Sequence, residues 1–139
     1  MARVRYLVDT SVFARLARPP VATAFAPLAA QGQVAVCAPV VFELGFSARN
    51  LDDHRRLTGG LAAFPPVPTG DADHRRALEV QAELAAMGQH RAVSLVDALV
   101  AAVAESRRLS VLHYDADFEL IAGVTGQSHR WIVSRGTAE

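Results

Sequence analysis

Four short apolar runs, separated by longer stretches of helical periodicity, constrain this chain more than any other feature. They are Tyr6-Leu7-Val8, Val34-Ala35-Val36-Cys37, Ser110-Val111-Leu112-His113-Tyr114 and Trp131-Ile132-Val133. Runs this short, without strict polar alternation, read as strands covered on both faces. Between the first two, Val12, Phe13 and Leu16 recur at helical spacing, Pro19-Pro20 stops that helix, and Val21 to Ala30 forms another with Phe25 and Leu28 inward. Pro39 suits the first turn of a helix running from Val40 to Asn50, and Leu51 to Ala63 is a further helix. Phe64-Pro65-Pro66-Val67-Pro68 is extended, at most a short edge strand, because proline spoils a central ladder. Asp71 to Met87 is a long helix closed by Gly88, and Ser94-Leu95-Val96-Asp97 resembles a capping box ahead of a helix reaching Arg108. Strands alternating with helices predict an α/β protein: an α/β/α sandwich around a central, mostly parallel sheet of four to five strands. No repeat or linker interrupts the pattern, so residues 1–139 read as a single domain.

Ligands of such folds gather beyond the carboxyl ends of the strands. Asp9 and Asp115 sit just there, each directly after an apolar run. Glu43 lies in Pro39-Val40-Val41-Phe42-Glu43-Leu44-Gly45-Phe46, and Asp97 in Leu95-Val96-Asp97-Ala98-Leu99-Val100. A helix apolar almost all round is expected to be buried, and a lone buried carboxylate costs several kcal/mol unless something compensates it. Taken singly, Asp9, Asp97 and Asp115 are each accounted for as helix caps or first-turn acids, and Glu43 by a narrow solvated stripe. The set carries the argument. Four carboxylates converging at one sheet end repel one another, and a divalent cation resolves the conflict. Oxygen-only ligands select Mg²⁺ or Mn²⁺ over zinc, and such sites serve phosphoryl transfer. Asp117 is a first-turn acid or a further carboxylate on the same site.

Bulk properties narrow the field. With 51% apolar residues the chain can fill one core, and no apolar stretch is long enough to span a membrane. Net charge is zero, so bulk attraction to nucleic acid is not indicated. All fourteen basic residues are Arg. Arg15 and Arg18 follow the first acid closely, and Arg49, Arg55-Arg56 and Arg91 are further candidates for phosphate contact, with an ordinary solvated face as the competing account of each. Acid-pocket phosphotransfer domains, such as receivers or haloacid-dehalogenase-like phosphatases, want a positioned Lys, and this chain has none. The five histidines contain no i, i+4 pair of zinc-binding type and read as surface or hydrogen-bonded residues. Cys37 is the single cysteine, and the N-terminus lacks the long apolar region of a secretory signal, so the cytoplasm is the expected compartment.

Leu7-Val8-Asp9-Thr10-Ser11, Glu43 in its apolar helix, Leu95-Val96-Asp97-Ala98-Leu99-Val100-Ala101 and Leu112-His113-Tyr114-Asp115-Ala116-Asp117-Phe118 resemble, in order and spacing, the motifs of PIN domains. The likeness is greatest to the VapC toxins of bacterial VapBC toxin–antitoxin pairs, and it spans essentially the whole chain. In this sequence His113-Tyr114 stands where many relatives carry a threonine or serine. The resemblance implies a PIN-like sandwich and an acidic pocket of Asp9, Glu43, Asp97 and Asp115 that binds Mg²⁺ or Mn²⁺. It implies that Thr10 or Ser11 holds a water or phosphate oxygen, with Asp117 behind the ligands, while Arg15 and Arg18, by their place after the first acid, are candidate RNA contacts. It further implies metal-assisted hydrolysis of RNA to 5′-phosphate and 3′-hydroxyl ends, a homodimer, and silencing by a VapB-like antitoxin seated in a groove near the acids. The helices from Val21 to Ala63, with Phe25, Leu28, Phe42, Leu44, Phe46 and Leu51, are the expected source of that groove, core packing being the other use for these side chains.

Overall fold

A computed structural model describes residues 3–139. Met1 and Ala2, the start of the N-terminal segment read above for a signal, lie outside the described residues. In chain order the elements are β1 (Tyr6–Val8), α1 (Thr10–Phe13), α2 (Pro19–Ala30), β2 (Val34–Cys37), α3 (Ala38–Phe46), α4 (Leu51–Leu61), β3 (Pro66–Val67), α5 (Asp71–Ala86), α6 (Leu95–Ser106), β4 (Ser110–His113), α7 (Asp117–Thr125) and β5 (His129–Trp131). The strands form one sheet in the order β3-β2-β1-β4-β5, and every neighbouring pair is parallel.

Period-two alternation within the strands feeds two separate cores. Leu7, Cys37 and Val111 face α3, α5, α6 and α7, packing with Val40, Leu84, Val100, Val103, Phe118 and Ile121. Tyr6, Val8, Val34 and Leu112 point the other way, onto Val12, Val21, Phe25 and Ile132. Both sheet faces are therefore covered, which is why the strands read as continuous apolar runs rather than as alternating ones. The expected sandwich and parallel sheet are what the chain adopts. The apolar side chains β1 and β4 bring together also set the two central strands side by side, so the residues that follow them emerge at one point.

Element ends depart from expectation where polar side chains or prolines intervene. Pro19 and Pro20 open α2 rather than merely ending the helix before it, since proline needs no N–H partner in a first turn. The helix expected to run to Asn50 stops at Phe46: the Ser47 hydroxyl donates to the Leu44 carbonyl (2.6 Å), and Asn50 caps α4 by accepting the Asp53 N–H (2.9 Å). The last strand occupies His129–Trp131, two residues earlier than the apolar run suggests, because its partner β4 pairs Val111 with His129 and His113 with Trp131. Ile132 is left to fill the second core.

Candidate metal centre

Asp9 leaves β1 with extended backbone and caps α1, its Oδ2 accepting the Ser11 N–H at 3.0 Å. Its own N–H donates to the Leu112 carbonyl (2.9 Å), which fastens it to β4. Capping uses one carboxylate oxygen only. Oδ1 of Asp9 and Oγ1 of Thr10 are buried and, among the described residues, have no hydrogen-bond partner. Asp97, only 4% exposed, is the third residue of α6; its N–H donates to Ser94 Oγ (3.0 Å), so the hydroxyl does the capping and the carboxylate is left for other use. Ser94→Ala should therefore cost about 1 kcal/mol in urea unfolding, and Ser94→Gly only a few tenths.

Asp115 and Asp117 bring in the α7 end of the site. Asp115 Oδ1 accepts the Asp117 N–H (2.9 Å), and Asp117 Oδ2 accepts the Ser94 N–H (3.1 Å), stitching the start of α7 to the start of α6. Carboxylate oxygens of Asp9, Glu43 and Asp97 lie within 4.8 Å of one another, and so do those of Asp97, Asp115 and Asp117. Asp97 is the hinge of both groups. The four acids singled out in the sequence are thus joined through Asp97, and Asp117 belongs to the group that holds Asp97 and Asp115.

One premise about Glu43 is corrected. Its helix is not buried all round: Phe42 is 82% exposed and Phe46 91%, while Glu43 is half-buried. The apolar side chains around it are divided between core (Val40, Leu44) and surface, so Glu43 reaches the acids from the border between them. Phe25 and Leu44 are likewise core, whereas Leu51 is exposed.

Crowded carboxylates in a dry site resist ionisation. Burial, opposed by hydrogen bonds from Ser11 and reinforced by the charges of Glu43 and Asp115, pushes Asp9 up to about 6. Asp97 is raised further, by burial first and then by Asp9, Asp117 and Asp115. In the cation-free protein the crowding therefore disfavours full ionisation of the Asp9 and Asp97 pair. A buried carboxylate oxygen with no donor, set among acids that cannot all charge together, fits a hard divalent cation.

His113 supports this arrangement from behind. It is fully buried, and burial, then His129, pushes its pKa down to about 3. Its Nδ1 accepts the Asp115 N–H (3.1 Å), so the proton sits on Nε2 and is donated to His129 Nδ1 (2.8 Å). The imidazole at this position thus holds the Asp115 backbone. Ser11 Oγ holds the neighbouring turn by accepting the Tyr114 N–H (2.8 Å). In the sequence His113 read as a surface or hydrogen-bonded residue within an apolar strand, and the hydrogen-bonded reading is the one the fold realises. Arg15 donates to the Ser11 carbonyl (3.3 Å) and lines a cleft beside Asp115, whereas Arg18 is exposed and does not line it.

The PIN domain family model matches residues 6–124. The chain belongs to the PIN domain family. Ribonuclease VapC51 of Mycobacterium tuberculosis is 48% identical to this PIN domain over 136 residues, 98% of either chain. Ribonuclease VapC21 of the same organism is 43% identical over 135 residues, covering 96% of this chain and 98% of its own. A chain in the crystal structure of DNA-bound VapBC from Salmonella typhimurium superposes with a TM-score of 0.74 at 20% identity, covering 94% of this PIN domain and 99% of itself, a likeness of fold.

Proposed function

We infer that this PIN domain is a metal-dependent endoribonuclease that hydrolyses RNA phosphodiester bonds, the toxin of a type II toxin–antitoxin pair neutralised by a VapB-like antitoxin. The observation that carries the reading is the orphaned Asp9 Oδ1 amid converging carboxylates, in a chain 48% identical to a VapC ribonuclease. Asp9, Glu43 and Asp97 would hold the ion, with Asp115 and Asp117 completing the pocket through Asp97. Mg²⁺ or Mn²⁺ bound there supplies the positive charge that polarises the phosphoryl group and stabilises the leaving oxygen. Around it, the acids accept hydrogen bonds from the attacking water and one of them takes its proton. Thr10 Oγ1, buried without a partner, is available to a water or phosphate oxygen. Water attack with departure of the 3′ oxygen leaves 5′-phosphate and 3′-hydroxyl ends.

The antitoxin reading has support on the surface. Phe42, Phe46 and Leu51 are exposed on α3 and α4, and Phe42 lines an apolar groove of about 590 Å³ with Val41, His54 and Val67. An antitoxin arginine entering the acids would crowd out the cation. The same apolar surface suits a homodimer contact. Among the described residues no helix is long and apolar enough to cross a membrane, and Cys37 is a buried free thiol, as suits a reducing cytoplasm. The test is cleavage of a structured RNA by purified protein. Mg²⁺ or Mn²⁺ should support cleavage, EDTA should stop it, and end mapping should find 5′-phosphates; undiminished cleavage in EDTA would overturn the metal-dependent mechanism.

A further inference from the structure

Directly beside Asp115 the surface opens into a cleft of about 300 Å³, lined among others by Arg15, Tyr114, Trp131, Arg135 and Glu139. Two cation–aromatic stacks form its walls: the Arg15 guanidinium lies 4.7 Å from the Tyr114 ring centroid and that of Arg135 5.8 Å from the Trp131 ring. Neither aromatic is loosely held. The Tyr114 hydroxyl accepts the N–H groups of Gly136 (2.8 Å) and Ala138 (3.1 Å) and donates to Glu139 Oε1 (3.2 Å), which fixes the C-terminal segment against the cleft. Trp131 Nε1–H donates to Glu119 Oε1 (2.9 Å), and Tyr114 packs edge-on against its ring at 5.3 Å.

The arginines keep their charge available. Among the described residues Arg15 makes no ion pair; its hydrogen bond goes to a backbone carbonyl. Arg135 reaches Glu119 only at 4.0 Å, with both side chains largely in solvent, where such a pair is worth little. With Asp115 and Glu139 also present, the cleft is formally neutral, so it is no general sink for anions. Its chemistry is mixed: guanidinium groups for a phosphate and a fixed indole for a π face. That combination fits one unstacked nucleotide, because a base inside a duplex cannot present its face to a side chain.

We propose that this cleft is a subsite for the nucleotide flanking the scissile phosphate of a single-stranded or looped RNA, its phosphate held by Arg15 and Arg135 and its base stacked on Trp131. The proposal rests on the ribonuclease reading for its register, since Asp115 belongs to both the acidic centre and the cleft. It makes Arg135 and Trp131 recognition residues for a single-stranded substrate.

The test separates binding from cleavage. Affinity of a short fluorescein-labelled single-stranded RNA would be measured by anisotropy across a salt series, in an Asp97→Asn background that cannot turn it over. Arg135→Gln should weaken binding and lower the salt slope by about one. Trp131→Ala should weaken it by roughly five- to a hundredfold, and Trp131→Phe should restore much of the loss. Arg108→Ala, at the opposite end of the sheet, should leave binding unchanged. Because Arg135 is 65% exposed, its variant keeps the test open even where Trp131→Ala does not fold. Affinities within twofold of the parent for Arg135→Gln and Trp131→Phe, with Trp131→Ala either folded and equally unaffected or unfolded, would overturn the subsite. So would an equal loss in Arg108→Ala, or a fully paired duplex binding as well as the single strand. Cleavage by wild type without these effects sinks the subsite alone; the effects without cleavage sink the ribonuclease reading alone.

Discussion

Asp97→Asn should lower RNA cleavage by roughly 10²- to 10⁴-fold and at the same time stabilise the cation-free protein. The two halves come from one cause. Asp97 is shared by both groups of acids, so its loss would remove a carboxylate from each. Burial first, then Asp9, Asp117 and Asp115, also raise its pKa well above the usual carboxylate range. Asparagine keeps the shape and removes the charge, which relieves that repulsion while the N-terminal cap from Ser94 persists, since the cap uses the backbone N–H of residue 97. A gain of about 1 kcal/mol would move Tm by roughly 3–5 °C in a chain of this size. Steady-state cleavage and thermal unfolding in EDTA would be read on the same preparations. An Asp97→Asn protein less stable than wild type in EDTA would overturn the repulsion argument, and undiminished cleavage would overturn the role of Asp97 in the acidic centre.

Mn²⁺ affinity should climb with pH, by about tenfold per pH unit for each proton displaced. Asp9 is raised from 3.8 to about 6, so in the cation-free protein folding is penalised once pH passes the unfolded value, and the full penalty, roughly 3 kcal/mol, is reached above about 6. Binding a cation favours the charged carboxylates and cancels that penalty. The metal-induced rise in Tm should thus be small at pH 5 and large at pH 7.5. His113 contributes a slope of the opposite sign, because its folded pKa near 3 lies below its ordinary 6.5 and stability rises with pH between the two. That contribution exists with and without metal, so it drops out of the difference. Calorimetric titration across this range would check the claim, and a flat affinity between pH 5 and 8 would refute it.

How the site could be read beforehand differs from residue to residue. Asp9 and Asp115 were legible because each follows a short apolar run, and a parallel sheet delivers the ends of such runs to one edge. Glu43 was singled out on the argument that its helix is apolar all round, and the residue does reach the acids, but the argument was partly mistaken. Phe42 and Phe46 are exposed, and a sequence cannot say whether an apolar side chain faces the core or an absent partner. Asp117 was open to two readings, a first-turn acid or a further carboxylate of the site, and the resemblance put it behind the ligands. The folded chain shows Asp117 Oδ2 accepting the Ser94 N–H and the Asp117 N–H donating to Asp115 Oδ1, in one group with Asp97. The cleft beside Asp115 was invisible, since Arg15, Tyr114, Trp131 and Arg135 come from distant parts of the chain.

The sequence by itself determined the sheet, the order of helices and the identity of the acids, because hydrophobic periodicity and helix caps are local properties that few residues specify. Tertiary structure decided what those acids meet and which apolar side chains remain in water. Those outcomes depend on how β1 and β4 come to lie side by side and on which oxygens are left unpaired once the caps have formed. Hydrogen bonds that close over long loops, such as Ser11 to Tyr114, leave no periodic trace in the chain, so they become visible only when it is folded.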